Sequence, residues 1–180
     1  STDADMTLYV FEGPGTPTAT PTAPTPTPTE IPTETPTATP TATPMSLILR
    51  PDGAGTYTTL SRYPATEANW QCVDEASPDD DSTYVYSTAG SSNVDSYDLS
   101  DSGHSGWVVS VRLHWRARSV SASSITMGLV DIGGTLYWSD EKTTSTIYKD
   151  FSYEWTMNPS TSSPWTWDDI DTLRAGVLCG

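Results

Sequence analysis

Between Pro14 and Pro44 the chain reads PGTPTATPTAPTPTPTEIPTETPTATPTATP, a stretch that holds ten of the 15 prolines. Proline fixes φ, removes a backbone donor and pushes the preceding residue toward extended geometry. No packed element can form there, and a polyproline II rod with solvated backbone is expected. At about 3.1 Å per residue such a rod spans on the order of 95 Å. The chain therefore divides into residues 1–13, the segment 14–44, and residues 45–180, which alone are long enough to bury a core. Thr/Pro-rich sequence with few charges is the composition of O-glycosylated stalks. The candidate acceptors are Thr16, Thr18, Thr20, Thr22, Thr25, Thr27, Thr29, Thr33, Thr35, Thr37, Thr39, Thr41 and Thr43. A bare flexible tether is the alternative. Asn158-Pro159-Ser160 has proline at the position that forbids N-glycosylation.

The piece before the rod, DMTLYVFEG, reads as one isolated strand. Alternation sends Met6, Leu8 and Val10 to one face and Tyr9 and Phe11 to the other. Both faces are apolar, as in a strand covered on each side. Left exposed, such a strand is an aggregation hazard. Adding it to a sheet edge satisfies its backbone and its side chains together. Burying five such side chains is worth roughly 7–15 kcal/mol before the strand is ordered. The strand has two destinations, its own domain or another copy. A return to its own domain needs only a few connecting residues, which a stiff rod of 31 suits badly. Met6, Leu8, Tyr9, Val10 and Phe11 are accordingly expected to form a donor strand. Head-to-tail donation is a heterologous contact, which builds an open homopolymer when it does not close.

Residues 45–180 read as all-β: a single β-sandwich or jelly roll of short apolar runs separated by turn signals such as PDGAG, SPDDD, SGHSG and IGGT. The clearest alternation sets Trp107, Val109, Val111, Leu113 and Trp115, as a core face, against Ser110, Arg112, His114 and Arg116. WTWDDIDTL is expected to form one helical turn, with Asp168 and Asp169 near its N-terminus. Cys72 and Cys179 lie in strand-like runs at either end of this part. An even cysteine count, scarce Lys and abundant Ser/Thr suggest an oxidising, extracellular or cell-surface setting. A Cys72–Cys179 bridge would contribute roughly 4–5 kcal/mol, and two buried thiols are the alternative. A chain that begins at Ser1 is expected to be a processed product or a fragment.

The net charge of −15 argues against nucleic acid or an anionic membrane as partner. No run of eighteen apolar residues is long enough to span a bilayer. Arg112, Arg116 and Arg118 share one face of one run with His114, and an electrostatic contact between subunits is expected where this stripe meets Asp79, Asp80 and Asp81 of a neighbour. A solvated sheet face is the bland alternative. Asp79 and Asp81 are weak calcium candidates, since their spacing does not match an EF-hand loop. No other metal is expected, and no cofactor other than covalent glycans. His104 and His114 lie near no nucleophile pattern, and no enzymatic activity is expected.

WQCVDEASPDDDSTYVY and NPSTSSPWTWDDIDTLRAGV resemble stretches of a jelly-roll domain found in phage, archaeal and bacterial surface proteins. The likeness covers roughly Leu47–Leu178 and implies a β-sandwich without catalytic apparatus. The layout of strand, Pro/Thr rod and jelly roll also resembles protomers of glycan-coated extracellular fibrils, which implies that the strand inserts into another subunit. A different class, a carbohydrate-binding module cut from a secreted enzyme, would use Trp165 and Trp167 to stack on sugar. A self-complemented monomer is the third reading.

Overall fold

The computed structural model describes residues 2–12, 46–88, 93–120 and 124–180, with residues 2–5 described by their backbone. Among these the chain is almost entirely β. The strands are β1 (Thr2–Glu12), β2 (Ser46–Leu49), β3 (Pro51–Thr58), β4 (Ser61–Tyr63), β5 (Tyr84–Tyr86), β6 (Asn93–Leu99), β7 (Val108–Ser119), β8 (Ile125–Ile132), β9 (Thr135–Trp138), β10 (Lys142–Thr143), β11 (Lys149–Trp155) and β12 (Arg174–Cys179). A 3-10 turn covers Asn69–Cys72, and one short helix, α1, covers Trp167–Thr172. Pairing is antiparallel throughout and builds two sheets. The first runs β11-β7-β1-β5-β4, with β2 also beside β1; the second runs β10-β8-β12-β6-β3, with β9 beside β8. No described helix is long and apolar enough to cross a membrane.

The two sheets face each other across one core. Trp115, Leu113 and Leu8 from the first sheet and Tyr97, Leu129 and Val177 from the second are fully buried. Their approach is close at Gly128 in β8, where a Cβ would lie 2.6 Å from Leu113 Cδ2 and 2.8 Å from Trp115 Cζ3. Glycine there gives the indole room. The β8–β9 hairpin turns on Gly133 (φ 60°) and Gly134 (φ 88°) between the paired Ile132 and Thr135, a two-residue turn that needs φ > 0 at both centres.

Three local expectations are corrected. PDGAG is not a turn but the first part of β3. Pro51 opens an edge strand, where its missing N–H costs no ladder bond. Irregular register with β6 then carries the glycines past Asp98 and Ser96. NWQC is a 3-10 turn rather than a strand. The Gln71 side chain accepts from the Ala68 N–H at 2.9 Å, and Asn69 Nδ2 donates to the Leu60 carbonyl at 2.9 Å, so local side-chain bonds replace a ladder. In β7, Val111, Leu113 and Trp115 are buried as expected, but Trp107 and Val109 are exposed. The register steps from Phe11↔Ser110 to Glu12↔Val108, which leaves Val109 as the extra residue of a bulge. A bulge reverses the alternation beyond it, so Val108 turns inward instead.

The expected helical turn is α1. Thr166 caps it, its Oγ1 accepting from the Asp169 N–H at 3.2 Å while Asp169 Oδ2 accepts from the Thr166 N–H at 2.9 Å. The helix turns Trp167 and Ile170 into the core.

Candidate functional site

The N-terminal strand occupies the middle of the first sheet. On one side β1 pairs with β7 from Thr2↔Ser119 to Glu12↔Val108. On the other it pairs with β5 through Asp3 and Ala4, then with β2 from Leu8↔Leu49 to Phe11↔Ser46. Between those two contacts, Asp5, Met6 and Thr7 have strand partners on the β7 side alone among the described residues. Met6 is 2% exposed, and Leu8 and Val10 are fully buried. A segment with no partner adjacent in sequence has thus become part of the core of the sheet it joins.

The outer face of β1 differs from expectation. Tyr9 and Phe11 are half-buried, and what covers them is polar. The Tyr9 ring sits 4.6 Å from the His114 ring, and the Arg112 guanidinium lies over Phe11 at 5.1 Å. Cation–π and edge contacts of this kind suit a face that water still reaches. Burial first, and then the positive charge of Arg112, hold the His114 pKa below the ordinary imidazole value, while Asp150 on β11 pulls it up. As pH falls below about 6.5 the unfolded chain therefore binds the proton first, and the stability supplied by the neutral ring is lost through that window. Wild-type protein is expected to lose stability between pH 7 and 5.5 that His114→Gln does not lose, measured as the difference in urea midpoints at each pH. Parallel curves for the two proteins would refute this role.

The arginine stripe meets the acidic turn within one chain. Arg116 makes a bidentate pair with Asp80, Nε–Oδ1 at 2.7 Å and Nη2–Oδ2 at 3.2 Å, and reaches Asp150 at 3.1 Å. Arg118 pairs with Asp81 at 2.5 Å, and Arg112 with Glu154 at 2.6 Å. Arg116 and Arg118 also flank the Tyr148 ring. Two of the three expected acidic partners, Asp80 and Asp81, meet the stripe within the chain and fasten the 79–81 turn over the sheet. The side chains are long enough, and β5 follows the turn closely enough, for this local match to form. Bonding to Arg116 holds the Asp80 pKa below the usual carboxylate range. Pairs this exposed are worth about 0–1 kcal/mol each.

Asp79, the other calcium candidate beside Asp81, accepts from Thr83, with Oδ2 at 3.0 Å from Oγ1. Among the described residues no three His, Cys, Asp or Glu side chains converge on a point that could hold a metal. Cys72 and Cys179 are both fully buried and are not bonded to each other. Burial, reinforced by Glu67, pushes the Cys72 thiol up to about 11, which makes the thiolate that begins disulfide chemistry scarce at neutral pH. Trp165 and Trp167 are 3% and 6% exposed, and Trp165 Nε1 donates to the Trp155 carbonyl at 2.9 Å. Neither indole offers a face to sugar, which removes the support for a carbohydrate-binding module built on them. The candidate glycosylation sites from Thr16 to Thr43 lie outside the described residues.

One polar cluster escaped sequence reading. Asp95 on β6 is fully buried and accepts from the Leu60 N–H at 2.8 Å, from the Asn69 amide, and from the Tyr97 hydroxyl at 3.1 Å. It ties β4 and the 3-10 turn to the second sheet. Its only signal in sequence was an acidic residue at an inward position between Val94 and Tyr97.

Comparison with protein-family models, with curated proteins and with solved structures found no match.

Proposed function

We propose that this chain is a structural subunit of an extracellular, O-glycosylated filament, a jelly-roll protomer whose β1 fills the same slot in another copy. One observation carries the reading: β1 is a central strand with an apolar buried face, yet 33 residues separate it from β2, its neighbour in the sheet. Hairpin connections need two to five residues. A polyproline II segment of this length reaches up to about 95 Å, whereas paired strands lie about 5 Å apart. Closing that rod onto its own domain requires a sharp reversal that a partner's slot does not. The contacts of β1 are the same in either case, as in domain swapping, so only the connection and the protein concentration set the balance.

The second reading, a monomer that keeps β1 in its own sheet, is favoured by the arrangement described above, in which one chain supplies both strand and slot. Electron microscopy separates the two. The full chain is expected to form filaments, and a chain lacking residues 1–12, which can accept but not donate, is expected to shorten them in proportion to the amount added. Monodisperse particles from the full chain at every concentration would leave the self-complemented monomer as the function-bearing form.

A further inference from the structure

The segment between the 3-10 turn and β5 roofs the outer face of the first sheet, and beneath it lies a cleft of about 200 Å³. Its floor is Thr7 and Tyr9 of β1 with His114 of β7, and Glu75 forms part of its roof. The cleft includes the stretch of β1 that lies between its β5 and β2 pairings, so the inserted strand forms part of the lining. The Arg116–Asp80 pair fastens the roof to the sheet.

The chemistry of the lining is mixed. Arg50 and Arg116 balance Glu75 and Asp150, so neither a bare anion nor a bare cation is favoured. Arg50 is positioned by a bond from its Nε to the Glu75 carbonyl at 3.3 Å. Glu75 Oε1 accepts from Thr83, while its Oε2 is buried and has no partner among the described residues. A carboxylate acceptor, a guanidinium donor and an aromatic ring in one small cleft match a ligand with several hydroxyls and one apolar face. A cleft of about 200 Å³ has room for one sugar ring rather than a buried oligosaccharide. We propose that this cleft binds a single neutral sugar residue and that the inserted strand completes the site. The proposal holds whether β1 belongs to the same chain or to another copy, so it stands apart from the filament reading.

Saturation-transfer NMR on the full chain tests it, with the methyl glycosides of glucose, galactose, mannose and N-acetylglucosamine as probes. Inorganic phosphate and ethylammonium serve as charged controls. At least one glycoside is expected to bind, and its affinity to fall at least tenfold in Glu75→Gln and in Tyr9→Ala, each first shown to be folded by its thermal transition. Glu75→Gln alters only the acceptor side, so the test survives if Tyr9→Ala fails to fold. Absence of binding by all four glycosides at millimolar concentration, binding untouched by Glu75→Gln, or preference for either charged probe would overturn the proposal. Bound glycoside is also expected to slow replacement of β1 by a labelled peptide of residues 1–12. An unchanged rate at saturation would overturn the strand's part in the site.

Discussion

A chain carrying Leu8→Asp is expected to form no filament and to lose more than about 4 kcal/mol of stability. Leu8 has no exposed surface and stands in register between Leu113 on β7 and Leu49 on β2. Deleting a buried leucine side chain costs about 2–5 kcal/mol through lost transfer energy and the cavity left behind. A carboxylate in that place adds the penalty of burying a charge with no cation beside it, and expelling the strand to avoid that penalty strips the cover from both flanking strands. Leu8→Met, which conserves volume and apolarity, is expected to cost less than about 1.5 kcal/mol and to keep filaments. Urea unfolding and negative-stain microscopy read the two effects. A Leu8→Asp protein with the wild-type urea midpoint would mean that β1 contributes nothing to the fold.

The second large effect is expected at Asp95. Asp95→Ala leaves the Leu60 N–H and the Tyr97 hydroxyl without their acceptor inside the core, and takes one of two acceptors from the Asn69 amide. An orphaned buried donor costs about 1–3 kcal/mol, so a loss of about 3–6 kcal/mol is expected. Asp95→Asn keeps one acceptor oxygen and should fall between. Burial raises the Asp95 pKa against the opposing pull of the hydrogen bonds it accepts. The native state therefore holds this proton to higher pH than the unfolded chain, and the Asp95 contribution declines as pH rises from about 3.9 through the folded pKa. Calorimetry of the two variants at neutral pH checks the ranking. A loss under about 1 kcal/mol for Asp95→Ala would show that water replaces the carboxylate at no cost.

Much of the architecture was legible in composition and alternation. The all-β character, the buried face of β1, the inward set Val111, Leu113 and Trp115, and the helical turn in WTWDDIDTL all follow from period, propensity and charge near a helix end, which act within a few residues of chain. The failures share one cause. Trp107 and Val109 point outward because a bulge, set by pairing with β1, reverses the phase of β7. PDGAG became a strand because an edge of the second sheet needed one. Trp165 and Trp167, the candidates of the sugar-binding alternative, are buried where α1 and the residues before it pack on the core.

By itself the sequence determined that Met6, Leu8 and Val10 must be covered and that the proline segment beyond them cannot be what covers them. Backbone geometry and hydrophobicity are local properties, and they are complete in the string of residues. Only the tertiary structure decided what does the covering: a slot between β7 on one side and β2 and β5 on the other, drawn from residues up to 117 positions away, Thr2 facing Ser119. It also decided that the arginine stripe finds its carboxylates in the same chain, because charge pairing depends on which side chains the sheet brings within about 4 Å, and spacing along the chain carries no such distance.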